Sequence, residues 1–146
     1  MRLPALLALA LLARAAIAAN LPDAPPDQLL VIDEKPGDGP ELTRGNFGVA
    51  HYEGWVFDAN APDRKGRKFD SSRERGRALS FYYSPGRIIE GWYKGLAGMK
   101  AGGRRVLVVP PALGYGERYA FGVVPPNSTL LFEIELLDVV PRQNPR

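Results

Sequence analysis

The chain has 146 residues, 45% of them hydrophobic, which suits one domain with a real core and leaves little room for a second. It contains no cysteine and one histidine, which excludes disulfides, thiolate catalysis, cysteine-ligated zinc and a His-rich metal site. The formal charge of +3 falls to about +1 once Arg2 and Arg14 are set aside, so no strongly basic nucleic-acid-binding face is expected.

Residues 1–19 join a basic start to a Leu/Ala run and end on Ala16-Ile17-Ala18-Ala19. This is the pattern of a signal peptide cleaved near Ala18-Ala19. The apolar run Leu3 to Ala13 is shorter than the roughly 20 residues that span a bilayer. Export into a bacterial periplasm or the medium is therefore expected, without stable membrane insertion. Residues 20–27 carry Pro22, Pro25 and Pro26 and read as a flexible lead-in. The domain is expected over 28–141, followed by a 142–146 tail.

Gln28 to Glu34 predicts a first strand, closed by the turn Pro36-Gly37-Asp38-Gly39-Pro40, and Gly48 to Val56 a second. Asp58 to Lys68 has the composition of an exposed loop. The basic residues from Arg64 to Arg77, diluted by Asp63, Asp70 and Glu74, read as a solvated region. Phe69 to Ser71 and Leu79 to Tyr83 are short strand candidates. After Ser84-Pro85-Gly86, the residues Ile89, Trp92, Leu96 and Met99 recur at helical spacing and predict one short helix over about 89–96. Arg104 to Pro110 and Leu130 to Val140 complete the strands. Many strands and one helix make an α+β fold, an antiparallel sheet covered on one face.

The loop Ala112 to Asn127 is the most unusual segment. Loops are commonly polar and about four to six residues long, whereas this one carries Tyr115, Tyr119, Phe121, Val123 and Val124 among Gly114, Gly116 and Gly122. An apolar loop stiffened by Pro125 and Pro126 suggests either a binding surface or a loop packed on itself. His51 invites a catalytic role, but strand neighbours face opposite ways, so a pocket-facing Tyr52 turns His51 away.

Four motifs then fall in one order: Val49-Ala50-His51-Tyr52-Glu53-Gly54, Phe69-Asp70-Ser71-Ser72-Arg73, Ile88-Ile89-Glu90-Gly91-Trp92, and Gly114-Tyr115-Gly116 with Val123-Val124-Pro125-Pro126-Asn127-Ser128-Thr129-Leu130-Leu131-Phe132. Together they closely resemble the FK506-binding-protein (FKBP) family of peptidyl-prolyl cis-trans isomerases over about residues 28–140. The resemblance implies a bent antiparallel sheet wrapped around one short helix, with an apolar pocket between them. It implies catalytic roles for Tyr52, Phe69, Asp70, Tyr115 and Phe132, and substrate contacts from Arg75, Leu79, Phe81, Ile88, Ile89, Trp92, Val123 and Val124. Trp92 would be the floor; Tyr52, Phe69, Phe81 and Phe132 the walls; the Ile89 N–H and the Tyr115 hydroxyl would receive substrate carbonyls.

The same resemblance implies no metal and no cofactor. The implied partners are unfolded or partly folded proteins with Xaa-Pro bonds and macrolides of the FK506 or rapamycin type, with no nucleic acid. Asp70 is expected to pair with Tyr52 or Arg75. Departures from the family pattern are Leu79 in place of a frequent Phe, Gly114 in place of Ala, Ala120 at the loop tip, and an insertion of about seven residues within 58–68. A dimerisation helix found in some exported members is missing, so a monomer is expected. A proline-peptide-binding or holdase module with the same pocket and no turnover is the alternative reading.

Overall fold

A computed structural model of the chain describes residues 20–143. The expected leader, 1–19, and the last three residues of the expected tail lie outside the described residues. The strands are β1 (Leu30–Lys35), β2 (Phe47–Phe57), β3 (Lys65–Ser71), β4 (Leu79–Tyr82), β5 (Arg104–Val109) and β6 (Leu130–Val140). The helix α1 (Glu90–Gly95) lies between β4 and β5, and a single 3-10 turn, Pro111–Leu113, follows β5. All pairings are antiparallel, in the order β1-β5-β6-β2-β3.

The position of β2 governs the site. One edge pairs with β6 along nearly its whole length, while the other is shared: β4 takes Phe47 to Ala50 and β3 takes Glu53 to Phe57. Tyr52 sits where those two partners part. Strand alternation sends Gly48, Ala50, Tyr52 and Gly54 to the face that α1 covers. That face holds the main core, including Tyr52, Phe81, Trp92, Leu96, Leu107, Val109, Phe132 and Ile134. Glycine lets α1 lie close: a Cβ on Gly95 would stand 2.8 Å from Leu107 Cδ1, and one on Gly91 would collide with Val109. Arg105 Nη1 donates to the carbonyls of Gly95 (3.0 Å) and Ala97 (2.7 Å), satisfying groups that the helix end leaves open.

Two expectations are corrected. Lys65 to Lys68 is part of β3 rather than of an exposed loop, because its charges are neutralised by neighbouring strands: Lys65 pairs with Glu133 (2.6 Å) and Lys68 with Glu53 (3.0 Å). The segment 20–27 is tied to the domain. Leu21 is buried in a second apolar cluster on the outer sheet face with Trp55, Phe57, Val106, Val108 and Leu131. Arg64 holds the adjoining chain through Pro22 O (2.9 Å) and Asp23 Oδ1 (2.8 Å).

Candidate active site

Between the sheet and α1 the aromatic side chains form one connected basin. Trp92 lies at its base, meeting Tyr52 edge-on at 5.0 Å between ring centres, Phe81 at 5.5 Å and Phe132 at 5.6 Å. Phe132 in turn meets Phe69 at 5.6 Å, and Phe69 meets Tyr115 at 6.2 Å. Edge-to-face packing of this kind suits rings with negative faces and positive edges. The indole N–H of Trp92 is buried and has no acceptor among the described residues.

The rings come from β2, β3, β4, α1, β6 and the long loop, so the basin exists only once the sheet has bent around the helix. Gly54 is essential to that approach. A Cβ there would stand 2.7 Å from Phe69 Cζ and 3.0 Å from Phe132 Cε1, closer than carbon atoms tolerate. Glycine inside a strand, on the same face as Tyr52, was the available sign of a close approach.

One polar cluster stands at the rim. The Tyr52 hydroxyl donates to Asp70 Oδ2, and Arg75 Nη1 donates to Asp70 Oδ1. Arg75 Nη2 also reaches the Tyr52 oxygen at 3.0 Å. Asp70 therefore pairs with both expected partners rather than with one. Burial, then the hydrogen bond to Asp70, raises the Tyr52 hydroxyl above its ordinary pKa. Burial raises Tyr115 to about 12, so both phenols are neutral donors at physiological pH.

Leu79, Ile88, Ile89 and Val123 are partly buried against the same core, at the basin's margin. Val124 is fully buried, whereas Val123 is only partly so. Ile89 precedes α1, and its carbonyl accepts from the N–H groups of Trp92 (3.0 Å) and Tyr93 (3.1 Å).

Ser72, part of the second motif, and Phe121, part of the unusual loop, had no site role assigned from the sequence. Ser72 Oγ accepts from Tyr52 N–H at 2.8 Å and lies 2.9 Å from His51 Nδ1, fixing the backbone that carries Tyr52. Phe121 lies against Phe69 at 5.4 Å and Tyr115 at 5.5 Å. His51 lines a charged groove of about 560 Å³ on the outer sheet face, together with Glu53, Arg73, Glu133 and Glu135. Charges in that groove neutralise one another, as in Arg73–Glu135 (2.7 Å) and Lys65–Glu133 (2.6 Å).

A sequence profile described as FKBP-type peptidyl-prolyl cis-trans isomerase matches residues 39–137. The chain is 43% identical over 111 residues to the FK506-binding protein of Neisseria meningitidis serogroup A, covering 76% of this chain and 95% of that one. It is 46% identical over 121 residues to FK506-binding protein 2B of Rhizopus delemar, covering 80% of this chain and 55% of that longer one. Among solved structures, AtFKBP13 superposes with a TM-score of 0.66 at 37% identity, covering 80% of this chain and 96% of that chain. FkpA from Escherichia coli gives a TM-score of 0.65 at 40% identity, covering 77% of this chain and 48% of that chain.

Proposed function

This chain belongs to the FKBP-type peptidyl-prolyl cis-trans isomerases, and from that premise we propose that the aromatic basin binds Xaa-Pro segments of exported proteins and twists the bond before proline. The observation that carries the reading is the connected set of rings around Trp92 with the Tyr52–Asp70–Arg75 cluster at its rim.

Rotation about a peptide bond faces a barrier of about 18–20 kcal/mol because resonance keeps the amide planar, and unaided Xaa-Pro isomerisation takes tens to hundreds of seconds. No covalent bond has to break. The planar amide carries more charge separation than the twisted one, so a site that withholds water destabilises the planar form relative to the twisted form. Trp92, Phe81 and Phe132 are nearly sealed from solvent and offer an apolar seat for the prolyl ring.

The hydroxyl of Tyr115 takes the carbonyl of the residue before proline, and the Ile89 N–H takes a carbonyl further along the substrate. Asp70, held at both oxygens, fixes the Tyr52 ring and sets the field at the rim. Leu79, Ile88 and Val123 close the sides. FK506- or rapamycin-type macrolides are expected to occupy the same seat. The leader pattern of residues 1–19 supports action outside the cytoplasm, and sequencing the N-terminus of the exported protein tests that reading.

A protease-free isomerisation assay on Xaa-Leu-Pro and Xaa-Phe-Pro peptides tests the function. Turnover above the uncatalysed rate, abolished by a macrolide, is expected. Peptide binding with background turnover would instead support the holdase alternative.

A further inference from the structure

The tip of the long loop holds an aromatic ring that the chemistry above does not use. Ala120 and Val124 pair across the tip, with Ala120 N–H to Val124 O at 3.0 Å and Val124 N–H to Ala120 O at 2.9 Å. Phe121 and Gly122 between them both have positive φ, +53° and +69°. Successive positive φ values mark a primed turn, whose first position usually holds Asn, Asp or Gly. A bulky side chain there is strained, and strain kept at a site rim points to a use for the ring.

The ring is displayed rather than stored. It touches Phe69 and Tyr115, both members of the basin, yet 54% of Phe121 remains exposed. Tyr119 O–H donates to Gly122 O at 2.8 Å and braces the tip, while Asn127 N–H to Gly116 O at 2.7 Å ties its base. A surface held in place before a ligand arrives loses little freedom on binding.

We infer that Phe121 is a specificity-determining residue, an aromatic ledge for the side chain immediately before proline that favours aromatic and large aliphatic residues over small or charged ones. This rests on the reading of the basin as a prolyl pocket. A carbonyl oxygen on the Tyr115 hydroxyl lies two bonds from the Cα of that preceding residue. Its side chain then leaves beside the Tyr115 ring, and the half-exposed Phe121 ring lies 5.5 Å from that ring.

Phe121→Asn separates the ring from the fold, because Asn tolerates positive φ. Phe121→Leu keeps apolar bulk without the ring. Protease-free kcat/KM is measured for peptides that differ only in Ala, Glu, Leu or Phe before proline. In Phe121→Asn the preference for Phe over Ala is expected to fall about fivefold, the scale of one aromatic pair, with no loss of thermal midpoint. Phe121→Leu is expected to be intermediate. An equal fall on all four peptides, or an unchanged ratio, overturns the inference. The same Phe-to-Ala ratio measured as peptide affinity by calorimetry tests the ledge even if the protein binds without turnover, so failure of the ledge is distinct from failure of the isomerase reading.

Discussion

Asp70 accepts from Tyr52 on one oxygen and from Arg75 on the other, so it acts on the site through the groups it holds. Removing it leaves a phenol and a guanidinium at the rim without their acceptor. Hydrogen bonds to a charged group are each worth about 1.5–3 kcal/mol, and Asp70→Ala is therefore expected to lower kcat/KM about tenfold or more. Unchanged kcat/KM would remove Asp70 from the mechanism. The Tyr115 hydroxyl carries a pH signature, because burial moves it from 10.0 to about 12. A folded value above the ordinary one means that the neutral hydroxyl's contribution is complete below about pH 10 and fades between there and about pH 12. Activity should stay level from neutrality through about pH 10 in a pH profile of kcat/KM. Tyr115→Phe should lower it about threefold to tenfold, the scale of one net hydrogen bond, and abolish the later fall. Residues legible in the sequence as one group were those of its ordered motifs, such as Tyr52, Asp70 and Trp92, which the structure brings together. Phe121 was legible as a ring of the loop but not as a neighbour of Phe69, because its backbone, in a conformation bulky residues avoid, gives it its place.

At the scale of elements, the aromatic wall depends on where β2 has no side chain. Gly54→Ala would force Phe69 and Phe132 apart, with an overpacking cost of about 1–3 kcal/mol. The urea midpoint should fall, and kcat/KM of the still-folded variant should fall with it. Full activity in a destabilised but folded variant would show that the wall tolerates displacement. The final strand was legible residue for residue, Leu130–Val140, because its apolar run is long and bounded by turn residues. The start of β3 was hidden for the opposite reason. Lys65-Gly66-Arg67-Lys68 looks like a loop in isolation, and only acids on β2 and β6 make it a strand. Cross-strand pairing of this kind joins residues far apart in sequence, which local composition does not report.

Taken whole, the molecule carries apolar clusters on both faces of one sheet, and only the inner one contains the basin. Leu21 closes the outer cluster from a segment whose prolines suggested mere slack. Leu21→Ala is expected to cost about 2–4 kcal/mol in chemical denaturation while leaving kcat/KM within about twofold, because the sheet separates it from the rings. A matching loss of activity in the folded variant would show that the two faces are coupled. That separation also divides the chain's two tryptophans. Trp92 lies under the basin with an N–H that has no acceptor among the described residues, whereas Trp55 lies on the outer face with the Lys65 ammonium 4.3 Å from its ring centre. The protein thus contains two chromophores with separate duties. Ligand that fills the basin is expected to change emission mainly from Trp92, and added salt or release of the N-terminal segment mainly that from Trp55, so that occupancy and integrity are read by light in one unlabelled sample.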